Sequence, residues 1–155
     1  MSSGQERDTL PDALIEYLSG GKLITGATID PEGRPYMMVM NSAIAIDAHT
    51  IRFALDHRTK SLAHLRDRPV MMLEVIGEGF VFGVRGQARV IKELMANCPV
   101  PSALIQLEVE AVKSDLPPGV QIKPIEFSWG ALESFMGPVE VRMFEEIRTT
   151  PSKPT

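Results

Sequence analysis

Between Leu23 and Leu55, three stretches rich in β-branched and apolar residues are joined by very short connections. Leu23 to Ile29 runs into Asp30-Pro31-Glu32-Gly33, with proline and glycine where a tight turn uses them. Tyr36 to Ile46 follows, with a break at Asn41-Ser42. Asp47-Ala48-His49 then leads into Thr50 to Leu55. A parallel crossover needs about a dozen residues or more, so these connections restrict the segments to antiparallel pairing, and a three-strand meander is expected.

The rest of the chain adds strands faster than helices. Val70 to Ile76 (VMMLEVI) is a nearly continuous apolar run, predicted to be a strand covered on both faces. Gly77-Glu78-Gly79 turns the chain into a strand from Phe80 to Ile91. Gly86 within it predicts a bulge, a bend or a close backbone approach. Ile105, Leu107, Val109 and Ala111 alternate with Gln106, Glu108 and Glu110, the pattern of a half-buried strand. Helical spacing predicts a helix over 10–18, from Leu10, Leu14, Tyr17 and Leu18. Thr9 and Asp12 stand at capping-box spacing, and Ser19-Gly20-Gly21 forms the stop. A second helix spans Lys60 to Asp67, and a third opens at Pro138 with Val139, Met143, Phe144 and Ile147 on its apolar side. Lys92 to Pro101 is read as a connection holding one helical turn, and Leu116 to Gly119 as a loop. Residues 1–7 are polar and expected to fray, and 151–155 are expected to be a disordered tail behind a single domain over 1–150. With about six or seven strands and a few short helices, the expected fold is mainly β, a closed or nearly closed antiparallel barrel, because closure removes exposed edges.

Composition narrows the function. A chain of 155 residues holds one domain with a sizeable core. A net charge of -4 argues against a nucleic-acid binder. Cys98 is the only cysteine, so an internal disulfide is impossible and a structural zinc cluster is not expected. The N-terminus lacks the apolar stretch of a signal peptide, and no apolar run is long enough to span a bilayer, so a cytoplasmic protein is the expectation.

The stretch from Ile51 to Pro69, IRFALDHRTKSLAHLRDRP, carries the strongest functional signal. A strand, a turn with Arg58 and Lys60, and a helix start make an anion seat, because free helix N–H groups and the helix dipole favour a phosphate. Arginine offers a bidentate grip and lysine a point charge. The plainer reading is a solvated turn that complements Asp56 and Asp67. Other chemistry-bearing residues favour ordinary roles. His49, His57 and His64 form no ligand motif, with His57 the nearest to the seat. Cys98, before Pro99, has no histidine partner. Phe127 and Trp129 more often pack than cap a ligand. Arg85 and Arg89 share one strand face with Gln87, and Glu108 and Glu110 read as a wet face. No metal site and no catalytic acid–base group is indicated.

The order of these pieces resembles the split β-barrel flavoproteins related to pyridoxamine 5′-phosphate oxidase. The resemblance runs from about Leu14 to Val112. A helix and strand lead into ATIDPEGRPYMMVM, similar to the family's strand, D-x-x-G-x-P, strand opening. IRFALD and HRTKSLAHLRDRPVMMLEV look like its strand, basic turn, short helix and buried strand. GVRGQARVI is similar to its G-x-A-x-V strand. The resemblance implies a split antiparallel barrel, a homodimer, and FMN in clefts at the subunit interface. Its phosphate would be held by Arg58, Thr59, Lys60 and Ser61. Its ring would lie against the backbone of Met38, Val39, Met40 and Asn41, and of Ala54, Leu55 and Asp56. The implied activity is flavin-dependent oxidoreduction of a small molecule. Alternatives on this fold are a non-catalytic flavin or haem (tetrapyrrole) binding module and an F420-dependent reductase. Two departures set the chain apart from true pyridoxamine phosphate oxidases. Its second strand, MMVMNSAI, has no cation, and its end, FEEIRTTPSKPT, lacks the oxidases' arginine-rich terminus.

Overall fold

The structure is a computed structural model and describes residues 5–152. Residues 1–4 of the predicted frayed start and 153–155 of the predicted tail lie outside the described residues. Eight strands are present: β1 (Glu6–Arg7), β2 (Ile24–Ile29), β3 (Pro35–Met40), β4 (Ile44–Asp47), β5 (Thr50–Asp56), β6 (Val70–Gly77), β7 (Phe80–Lys92) and β8 (Ser102–Ser114). Among the described residues three α-helices accompany them, α1 (Asp12–Tyr17), α2 (Lys60–Asp67) and α3 (Glu133–Thr149), with a short 3-10 turn over Gly130–Leu132 before α3. All pairings are antiparallel, in the order β3-β2-β6-β7-β8-β5-β4, and β1 adds to β8.

The expected meander breaks in two. β2 pairs with β3 and β4 with β5, but β3 and β4 end the strand order on opposite sides. The reason is the bend at Asn41–Ala43, which hands the chain across the barrel instead of turning it back. Residues 18–21 fill the resulting split. Gly21 N–H donates to Asn41 O at 2.8 Å, Gly20 N–H to Ala43 O at 3.1 Å, and Ala45 N–H to Leu18 O at 2.8 Å. Gly20 and Gly21 hold φ of 88° and 76°, the left-handed backbone that glycine takes most easily. The fold is therefore a split antiparallel barrel, mainly β as expected.

Two cores hold it. Inside the barrel pack Ile24, Ile51, Phe53, Leu55, Met71 and Leu73, closed off by Leu62 and Leu65 of α2, by Leu14 of α1 and by Leu18 just after it. Outside, α3 lays Met143 and Ile147 over Ile44, Ile91 and Leu104. Two charged residues fasten α3. The buried Arg52 donates to Gln106 Oε1 at 2.8 Å, to the carbonyls of Ile147 and Thr150, and to Ser152 Oγ at 2.9 Å. Glu146 accepts from the amides of Ala96 and Asn97 at 2.6 and 2.7 Å and meets Lys92 Nζ at 3.0 Å. Burial would push the Glu146 carboxyl up, but these donors outweigh it and hold it below the ordinary value.

Several local expectations are revised. α1 starts after Pro11 with no side-chain cap, and Thr9 accepts from Arg7 instead, so the capping box does not form. Residues 93–101 make bends and no helical turn. α3 begins at Glu133, so Pro138 lies inside the helix and not at its start. β8 does not alternate cleanly, because Gln106 is buried beside Arg52 beneath the end of α3, where it accepts from Arg52 and from the exposed Ser152. β6 is not covered on both faces. Met71, Leu73 and Val75 are buried, while Val70 and Met72 are exposed.

Candidate functional site

The end of β5, the turn after it and the start of α2 form one hydrogen-bonded unit around Asp56. Its carbonyl accepts from Thr59 N–H at 3.0 Å and from Thr59 Oγ1 at 2.8 Å. Thr59 in turn caps α2 by accepting from Leu62 N–H at 3.4 Å. The Asp56 carboxylate takes the Arg58 amide at 2.8 Å and the Arg58 guanidinium at 2.5–3.1 Å. These bonds hold the Asp56 carboxyl down to about 2 and push the Arg58 guanidinium up. Arg58 is thus a solvent-facing cation already partnered by Asp56, one of the two carboxylates of the plainer reading; no ion pair to Asp67 accompanies it among the described residues. Lys60 opens the helix, exposed, with no side-chain partner among the described residues. Ser61 is buried. The first amides of any helix lack intrahelical acceptors, so Lys60 and the helix start form the part of this turn open to an anion.

The strand positions expected to face a ring divide. Asn41, Ala54 and Asp56 line one cavity of about 170 Å³, together with Ser42, Cys98 and Trp129. Ser42 Oγ accepts from Ala54 N–H at 3.0 Å and donates to Ala54 O at 3.4 Å, which fixes that wall. Met40 and Leu55 point into the barrel core, Met38 packs against it, and Val39 points out from the sheet. β3 ends the strand order, so its outer backbone edge has no strand partner among the described residues. Asp56 joins the two halves, since it lines the cavity and anchors the turn. Sequence reasoning missed Ser42 and Glu140. Glu140 Oε1 accepts from Trp129 Nε1 at 2.8 Å and from Asn41 Nδ2 at 3.3 Å. Only the Asn41-Ser42 break hinted at the first, and nothing in the spacing marks the second.

The histidines stand apart from the cavity. His64 is buried against Thr28 Oγ1 at 3.0 Å with its ring edge-on to Tyr36, and His57 Nε2 donates to Glu93 O at 2.6 Å. Burial pushes the Cys98 thiol up, away from thiolate chemistry. Arg85 and Gln87 are exposed on β7, and Arg89 lies 4.0 Å from Glu108. Among the described residues no group of three or more His, Cys, Asp or Glu side chains could hold a metal, and no helix is long and apolar enough to cross a membrane.

On the outer face of β2, β3 and β6 lies an apolar patch. The register lines up Met37, Ala27 and Met72 in one row and Val39, Thr25 and Glu74 in the next. Met37 and Val39 are 63% and 60% exposed, far above the core residues beside them.

No family model and no curated protein matches the sequence. Solved structures match the fold. HupZ of Group A Streptococcus is 17% identical with a TM-score of 0.60, over 74% of this chain and 100% of its own. A pyridoxamine 5′-phosphate oxidase-like protein of Lactobacillus delbrueckii is 16% identical with a TM-score of 0.61, over 72% of this chain and 98% of its own. An F420 reductase is 17% identical with a TM-score of 0.56, over 67% and 98%. The chain has the split-barrel fold of the pyridoxamine 5′-phosphate oxidase-like proteins.

Proposed function

We propose that the chain binds FMN at the junction of β5 and α2, as a homodimer, and acts as a flavin-dependent oxidoreductase on a small molecule. The observation that carries this reading is the pairing of an open helix start at Lys60 with a cavity lined by Asn41, Ala54 and Asp56, on a split barrel. The phosphate end fits. Lys60 supplies a positive charge with no side-chain partner among the described residues, and the first α2 amides supply donors. The ring end fits only in part. The cavity, about 170 Å³, is below the roughly 300 Å³ at which ligand pockets begin, so one chain at rest encloses too little space. A second copy on the apolar face of β2, β3 and β6 would bury Met37, Val39 and Met72 and add a wall.

Bound flavin would supply the electron or hydride transfer. The residues around it would bind and orient. Lys60 holds the phosphate. The free edge of β3 and the Asn41 amide can hydrogen-bond the ring. Asp56 stays ionised and tied to Arg58, so it anchors the turn and is no proton donor near neutral pH.

The test is the absorption spectrum of the purified protein, followed by mass analysis of what it releases. The expected result is a yellow protein releasing FMN. A released F420 would move the chain to the chemistry that one of its structural neighbours is named for. In Lys60→Ala, the loss of a charged phosphate contact should weaken FMN binding by about tenfold or more. A colourless protein that retains no flavin at high FMN sinks the reading.

A further inference from the structure

The cavity beside Asn41 has one fixed wall and one weakly held wall. The fixed wall is β5, paired with β8 from Thr50 to Asp56 and tied to Ser42 through both polar backbone groups of Ala54. The opposite wall includes Trp129, at the end of a stretch, 115–129, without helix or strand. Trp129 N–H donates to Glu133 Oε2 at 3.0 Å and its indole N–H to Glu140 Oε1 at 2.8 Å, both within its own C-terminal segment. The polar tie from this group to the barrel is Asn41 Nδ2 donating to the same Glu140 oxygen at 3.3 Å. One carboxylate oxygen therefore links the indole, the helix and the strand end.

We propose that Trp129 is a movable wall of the cleft, latched by Glu140 against Asn41, and that a planar ring ligand enters by displacing it. The second half of this statement rests on the flavin reading above; the latch itself does not. Opening breaks two hydrogen bonds and leaves the α3 anchors at Arg52 and Glu146 in place. It enlarges a cavity that is too small when shut, and it frees the Asn41 amide to face the ring. Glu140 is then a positioning residue that sets how often the cleft stands open.

The chain carries its own reporter. Cys98, the only cysteine, is half-buried and lines the same cavity as Trp129, so the rate at which a disulfide reagent such as dithionitrobenzoate labels it rises above its basal value as the cleft opens. Glu140→Ala removes both acceptor contacts and should raise the labelling rate about 5- to 30-fold. Glu140→Gln keeps an acceptor oxygen and should label near the wild-type rate. Trp129→Phe keeps the ring but loses the indole donor, so it should also label faster, which checks the latch from its other side. Added FMN should slow labelling in all four proteins by filling the cleft. Equal labelling of wild type, Glu140→Ala and Trp129→Phe, with circular dichroism unchanged, overturns the latch. Faster labelling of the variants with no protection by FMN leaves the latch standing and overturns its role as a ring gate.

Discussion

At the residue scale, the turn after β5 shows how a sequence motif keeps its place and changes its partners. The pair Arg58 and Lys60 reads as two cations for one anion, and sequence spacing gives no means of separating them. The fold separates them by bending the turn so that Arg58 closes on Asp56, leaving Lys60 outside. The Asp56–Arg58 pair has a consequence for acid stability. The Asp56 carboxyl sits near 2 in the folded chain against an ordinary 3.8, so the unfolded chain takes up this proton first as pH falls. The pair's contribution is fully present above about pH 4 and is lost as pH falls toward 2. In urea unfolding, Asp56→Asn should be less stable than wild type at pH 5, and the difference should vanish near pH 2. A constant difference across that range would contradict it. Trp129 and His64 teach the complementary lesson. Trp129 reads as an ordinary packing residue and His64 as a surface or partly satisfied side chain, and His64 turns out buried and satisfied by Thr28. Trp129 gains interest only through Glu140, eleven positions away.

At the element scale, the periodic segments were the legible ones. α2 occupies Lys60–Asp67 as its spacing predicts, since Thr59 caps it and Pro69 prevents its extension. β7 runs through Gly86, and the predicted close approach is real. The register moves from Arg85 opposite Ala111 to Gly86 opposite Val109, leaving Glu110 as the extra residue of a bulge. A Cβ on Gly86 would stand 1.9 Å from Glu108 O, a backbone atom that cannot rotate away. Gly86→Ala should therefore cost about 3 kcal/mol of stability, read from its urea midpoint, and should disturb the β7–β8 bulge. An alanine variant as stable as wild type would show that this backbone approach relaxes freely. α3 was read only in its second half. Its apolar stripe is read from Val139 onward, whereas in its first turns Met136 alone is buried and Phe135 remains exposed, too little for an inward-facing pattern.

At the scale of the whole molecule, the barrel presents two different outer faces. α3 covers the outer side of β4, β5 and β8, and among the described residues no helix covers the outer face that carries Met37, Val39 and Met72. The exposed Met37, Val39 and Met72 are the reason the proposed dimer places its second copy on that face. Wild type should sediment at twice the 17.1 kDa of one chain. Met72→Glu places a charge on an outward position, so it should sediment as a single chain with little loss of stability. A wild type that stays monomeric at every concentration would remove the dimer from the proposal. The same face explains a misreading. VMMLEVI reads as covered on both sides, and in one chain only its Met71, Leu73 and Val75 side is. Apolar alternation with methionine and valine does not say whether the second cover is the same chain or another. What the sequence determined was local: turns at Asp30–Gly33 and Gly77–Gly79, the α2 helix, a strand irregularity or close approach at Gly86, and antiparallel hairpins too short to be anything else. These follow from steric limits on neighbouring residues. What the tertiary structure decided was long-range: the split between β3 and β4, the burial of Gln106 with Arg52, and the meeting of Asn41, Ala54 and Trp129 around one cavity. Those arrangements depend on contacts between residues far apart in the chain, which no local periodicity records.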